Sequence, residues 1–265
     1  MSNLVQRTLS GTIYAGLVVA SIVVHPIFFA VLFCIVSMLA VREFHNLMQS
    51  TRFQTIVAIL VSGLLFTLMY VRGHCDIFYV RVFAILYCLC LIVGLVAELF
   101  LKQEHPIHNW GTFLSSQVMI ALPFALMNGI LVVNKYILLA LFITIWVNDS
   151  GAYCVGSLTA KRRNGNHKMF PRISPAKSWE GLIGGVFFAL LAGYVYYCVG
   201  WLDNLVFALC FSFLVAVSGT LGDLMESLMK RTIGVKDSGR FMPGHGGVLD
   251  RFDSICLPHL LFNSY

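Results

Sequence analysis

The chain has 265 residues, 58% hydrophobic and 11% charged, with a formal net charge of +6. Soluble domains hold about a quarter charged residues, so this composition excludes a soluble enzyme and places the chain in lipid. Apolar runs of about 20 residues without strict alternation predict helices rather than barrel strands, so the expected fold class is all-α, a polytopic integral membrane protein.

In chain order, about eight transmembrane helices are expected, near 8–24, 26–44, 54–72, 77–99, 113–133, 136–156, 181–201 and 204–222. Arg7 precedes the first apolar run without a small-residue cleavage site, which reads as a signal anchor. His25-Pro26 divides the first long run in two, because proline ends or kinks a helix; a single kinked helix is the other reading. After Asp253 there follows a short C-terminal apolar stub, Ile255–Tyr265, about half the length a helix needs to cross.

With the amino terminus inside, every Lys and Arg except Arg72, Arg81 and Lys135 falls on an inner segment. The positive-inside rule then puts the polar segments 157–180 and 223–253 on the cytosolic side. The eight cysteines lie mostly in apolar runs without a Cys-x-x-Cys pair, and they read as small buried hydrophobes. No repeat or soluble linker is visible, so 1–265 reads as a single polytopic membrane domain. Residues 1–135 are expected to be mainly scaffold and 136–265 the catalytic portion, because Asp149, Glu180, Asp223, Glu226, Asp237, Asp250 and Asp253 all lie there.

Asp149 sits inside an apolar span, where a carboxylate costs about 2–3 kcal/mol unless a cation or cavity receives it. It reads as a metal ligand or a group orienting one, or else as a structural salt bridge or an interfacial Asp capping a helix. Lys161, Arg162 and Arg163 read as topogenic. Ser174-Pro175-Ala176-Lys177-Ser178-Trp179-Glu180-Gly181 places two hydroxyls, a lysine and a glutamate where a helix begins, a pattern suited to phosphate. Glu180 reads equally as a helix-start carboxylate favoured by the dipole. Asp223 and Glu226 share a helical face, and Glu226 with Lys230 alone reads as an ordinary surface ion pair. In Gly244-His245-Gly246-Gly247 the glycines permit backbone amides to face phosphate oxygens. Asp250 and Asp253 follow on one helical face. Magnesium uses one or two carboxylates, waters and substrate phosphates, a requirement that Asp223 and Asp250 suit at the inner ends of helices.

The ordered residues Ser227, Lys230, Arg231, Lys236, Asp237, Gly239, Pro243, His245, Gly246, Gly247, Asp250, Arg251 and Asp253 resemble the signature of phosphatidate cytidylyltransferases, also called CDP-diacylglycerol synthases. Asn148-Asp149, the Ser174–Gly181 segment and Gly222-Asp223 are similar to that family as well, so the resemblance covers about 146–253. Met242 departs conservatively. The family ends in a complete span, which Ile255–Tyr265 with its Pro258, His259 and Asn263 is too short to form.

The resemblance implies that CTP and phosphatidate give CDP-diacylglycerol and pyrophosphate with Mg2+, and possibly a second cation, at the inner membrane face. It implies Asp223 and Asp250 as metal ligands, with Asp149 and Asp253 completing or orienting the site. Lys177, Lys230, Arg231, Lys236 and Arg251 would hold phosphates, helped by Ser174, Ser178 and the Gly246 and Gly247 amides. Glu180 belongs to the same helix-start motif, and His245 would bind phosphate or cytidine. A homodimer in membrane lipid is implied, with no nucleic-acid partner, and the short amino terminus points to a bacterial inner membrane. Two rival readings are a transporter using Asp149 and Asp223 as ion ligands, and a CDP-alcohol phosphotransferase, whose motif is absent. A catalytically inactive scaffold is a third.

Overall fold

The structure, a computed structural model, describes residues 3–101, 105–161, 165–239 and 247–255. Its described helices are α1 (Asn3–Val24), α2 (Pro26–Leu47), α3 (Arg52–His74), α4 (Ile77–Leu101), α5 (Pro106–Ser116), α6 (Leu122–Val133), α7 (Lys135–Ala160), α8 (Trp179–Cys198), α9 (Leu205–Thr232) and α10 (Leu249–Phe252). The all-α, polytopic expectation holds. Seven of the helical stretches among the described residues are long and apolar enough to cross a membrane, with α5 and α6 forming one of them. The first expected span is also helical, but its apolar part among described residues is only Ser10–Val24. The count of eight is therefore not reproduced by that measure. The chain is an integral membrane protein.

His25 and Pro26 make a true break. His25 is extended, and its Nδ1 accepts the Ile27 N–H at 3.2 Å, while Pro26 starts α2 where its missing N–H has no helical partner to lose. A second interruption lies between α5 and α6, where Gln117–Ala121 form a π-helical turn. Pro123, just after it, cannot donate to the carbonyl one turn back.

The helices group into two compact units. One holds the described residues of Met1–Val133 and Asp237–Phe252, the other those of Asn134–Lys236 and 253–255. In the first unit α3 packs against α2, α4 and α6, around a core that includes Phe29, Phe33, Phe66 and Phe124. The short α10 is anchored in this unit by Phe252, whose ring meets Tyr14, Phe33 and Phe124 at centroid distances of 5.5, 5.9 and 5.2 Å. Such edge-on aromatic contacts add about 0.5–1.5 kcal/mol each beyond burial.

In the second unit α8 lies between α7 and α9 in a tight bundle. Gly185 lets α7 come close, for a side-chain carbon there would meet Asn148 Oδ1 at 2.6 Å and its carbonyl oxygen at 2.8 Å. Two features differ from the sequence expectation. The 157–180 segment is not wholly irregular: β1 (Lys168–Phe170) and β2 (Ser174–Ser178) pair antiparallel, Lys168 opposite Ser178 and Phe170 opposite Ser174. And α9 continues to Thr232, past the expected span end at 222, with Asp223 and Glu226 on the helix as their spacing suggested.

Candidate active site

Within the second unit the hairpin leads straight into α8. Ser178 is the N-cap, its hydroxyl accepting the Gly181 N–H at 3.1 Å. Glu180 sits in the first turn, where the helix dipole favours a carboxylate, and reaches back to His167. It accepts the His167 backbone N–H at 3.1 and 3.0 Å and pairs with its Nδ1 at 2.6 Å. Ser178 and Glu180, expected at the substrate, are thus engaged in fixing the hairpin to the helix start. Ser174 opens β2 and is half-buried.

This frame delivers Lys177 to α9. Its ammonium lies 2.6 Å from Asp223 Oδ2 and donates to the Thr220 carbonyl at 3.3 Å. The other Asp223 oxygen accepts from Ser227 Oγ at 3.2 Å, one turn along the same helix. Asp149 of α7 is within electrostatic reach of both Asp223 and Lys177. Beside it, Asn148 donates to Asp149 Oδ1 at 3.5 Å and to Thr220 Oγ1 at 3.4 Å, and the Asn148 amide is almost fully buried. Two carboxylates from two helices therefore face one ammonium. The sequence expected each of these charged groups, and the structure adds Thr220 as the residue joining them.

One turn further on, the Glu226–Lys230 pair corrects its sequence reading. It is not a surface pair: Lys230 Nζ is 3.0 Å from Glu226 Oε1, and the two side chains are 11% and 6% exposed. Breaking such a pair by removing one partner costs about 3–5 kcal/mol, because the other charge is left buried. Arg231 Nε donates to the Ile173 carbonyl at 3.3 Å, tying α9 to the hairpin turn. Lys236 is exposed.

The first unit holds Gly247, Asp250 and Arg251. Asp250 Oδ2 accepts the backbone N–H of Ser238 at 2.9 Å and of Gly247 at 2.8 Å. The Gly247 amide, expected to face a phosphate, donates to Asp250 instead. Asp250 opens the four-residue α10 and does not end a span. Arg251 follows it and is half-buried. Nothing in the sequence reading named Glu43, near the end of α2. Its Oε2 accepts the Leu249 N–H at 2.9 Å and Ser238 Oγ at 3.2 Å. A signal was present: a carboxylate in the last turns of an apolar helix opposes the dipole and needs donors. His245, Gly246, Arg162, Arg163, the side chain of Asp253 and the stub from Cys256 onward lie outside the described residues.

These donors fit a hard cation in kind, being carboxylates flanked by hydroxyls and carbonyls. Among the described residues no three His, Cys, Asp or Glu side chains converge. Magnesium commonly takes one or two protein carboxylates and completes its shell with water and phosphate oxygens, so it needs no larger cluster than the described residues hold.

Comparison with known proteins adds an independent line. The model of the cytidylyltransferase family matches residues 5–265. A phosphatidate cytidylyltransferase of Staphylococcus aureus (strain COL) is 46% identical over 129 residues, 48% of this chain and 47% of that protein. The phosphatidate cytidylyltransferase of Staphylococcus haemolyticus (strain JCSC1435) is 46% identical over 129 residues, with the same coverage. That of Staphylococcus epidermidis (strain ATCC 12228 / FDA PCI 1200) is 45% identical over 130 residues, 49% of this chain and 48% of the relative. The matched stretch thus spans about half the length of these curated relatives.

Proposed function

Since the chain belongs to the cytidylyltransferase family, we propose that it transfers the cytidylyl group of CTP to phosphatidate, forming CDP-diacylglycerol and pyrophosphate. The observation that carries this reading is the contact at 2.6 Å between Lys177 of the hairpin and Asp223, beside Asp149, the two carboxylates standing on helices long and apolar enough to cross a membrane. Paired ionisable groups of this kind are a marker of substrate and ion sites in membrane proteins. A phosphatidate phosphate oxygen attacks the α-phosphorus of CTP; the new P–O bond forms as the bond to the β-phosphate oxygen breaks, and pyrophosphate leaves. No enzyme nucleophile is required, so the chain contributes positioning and charge neutralisation.

Asp223 and Asp250 are the proposed magnesium ligands, with Asp149 and Asp253 as supporting carboxylates. Magnesium held there would withdraw charge from the phosphate oxygens. Lys177 neutralises the carboxylate pair and is available to exchange one carboxylate contact for a phosphate. Lys230, Arg231, Lys236 and Arg251 are proposed to hold phosphates. Glu226 and the Ile173 carbonyl set the positions of the first two. Ser174, Ser178, Glu180, His245, Gly246 and Gly247 complete the proposed substrate-binding set. The proposed setting is a bacterial inner membrane with the site facing the cytoplasm and the protein as a homodimer.

The test uses purified protein in detergent with phosphatidate, magnesium and CTP labelled in the cytidine. Label entering the lipid phase only when phosphatidate and magnesium are both present supports the reading. Folded protein that produces none, and that instead carries ion flux in liposomes without CTP, would replace it with the transporter reading.

A further inference from the structure

We propose that Glu43 is a positioning residue for Asp250, acting from α2 on the backbone around it; the inference rests on the cytidylyltransfer reading above. Ser238 and Leu249 stand far from Glu43 in sequence, yet both donate to the same Glu43 oxygen, Oε2, at 3.2 and 2.9 Å. Asp250 gathers the same stretch from the other side through the Ser238 and Gly247 amides, at 2.9 and 2.8 Å. Ser238 is thereby held twice, its amide by Asp250 and its hydroxyl by Glu43, so the two carboxylates are linked through one residue. The enclosure is close. A methyl group on Gly247 would run into both Ser238 Oγ and Glu43 Oε2, and one on Gly239 would lie 2.8 Å from Glu43 Oε1.

Two features argue that the arrangement is specific to this role. Glu43 lies in the last turns of α2, where the helix dipole disfavours a negative charge, and a carboxylate persists there because charge-assisted donors meet it. And α10 has only four residues, so it cannot orient Asp250 through its own helical frame. Phe252 anchors one end of α10 in the aromatic cluster, and Glu43 fixes the other end at Leu249. Partners of this kind govern how well a ligand carboxylate serves its cation, and their loss commonly costs 10–100-fold in metal affinity.

The experiment compares wild type, Glu43→Ala, Glu43→Gln and Ser238→Ala as full-length protein in detergent. Amide hydrogen exchange over 238–250 is read in parallel with the magnesium dependence of cytidylyl transfer. Glu43→Ala is expected to speed exchange at Leu249 at least about tenfold and to raise the magnesium needed for half-maximal turnover by about tenfold. Glu43→Gln, which keeps an acceptor oxygen, is expected to restore both to within about threefold, and Ser238→Ala to fall between. Exchange at Leu249 unchanged in Glu43→Ala, or turnover lowered with an unshifted magnesium dependence, would overturn the assignment. If wild type itself transfers no cytidylyl group, the functional reading fails, and the exchange measurement alone then decides whether Glu43 holds Leu249 and Ser238.

Discussion

The two carboxylates proposed for the metal are held in opposite ways. Asp223 stands on the long helix α9, and its compensation is a side chain, the Lys177 ammonium at 2.6 Å, with Asp149 within electrostatic reach. Asp250 stands at the start of a four-residue helix, and its partners include backbone, the Ser238 and Gly247 amides. A mobile cation can leave a carboxylate when a metal or phosphate arrives, whereas amides pinned in a loop cannot follow it. Asp223 is therefore poised for exchange of partners, and Asp250 for a fixed orientation.

That contrast is sharpened most by Asp223→Asn. Removing its charge takes away the partner of Lys177 and a proposed metal ligand together, and turnover is expected to fall about 10³-fold in the labelled-CTP assay. Residual activity within tenfold of wild type would show that Asp223 is not a metal ligand. Asp250→Asn keeps an oxygen able to accept the two amides, so folding should hold while turnover drops about 10²-fold, recovering in part at high magnesium. Thermal unfolding monitored alongside separates that outcome from simple destabilisation.

Lys177→Ala leaves Asp149 and Asp223 facing one another without their cation. An increase of about tenfold in KM for CTP, or an equal fall in kcat, is expected. No change in either would return the hairpin lysine to a topogenic role. Ser178→Ala should be the mildest. It removes an N-cap and costs about 1 kcal/mol of stability, seen as a lowered Tm. A KM shift as large as that of Lys177→Ala would show that Ser178 contributes directly to substrate binding beyond its cap.

Much of this was legible from local pattern. The helix start at Ser178–Gly181 is visible because a cap and a first-turn carboxylate are short-range signals. The His25-Pro26 break is visible for the same reason. Helix length was less so: apolar windows report how long a segment can sit in lipid, and α9 continues to Thr232 on residues such as Leu224, Met225, Glu226 and Lys230, which favour helix without being uniformly apolar. The three-residue strand β1 is too short to carry a periodic signal, and Ser174-Pro175 reads as a turn. Burial of Glu226–Lys230 depends on neighbouring elements, so spacing alone gave an exposed pair. The partners of Glu43 were hidden for the deepest reason. They are at Ser238 and Leu249, and no local pattern encodes a hydrogen bond across that distance in the chain.

Whether Asp223 and Asp250 serve the metal is decided by a magnesium titration of cytidylyl transfer in wild type, Asp223→Asn and Asp250→Asn, with lipid-soluble label as the readout. Wild type is expected to saturate with magnesium, and each variant to need far more of it to reach a much lower plateau. Variants that saturate at the wild-type magnesium concentration with wild-type turnover would show that neither carboxylate serves the metal.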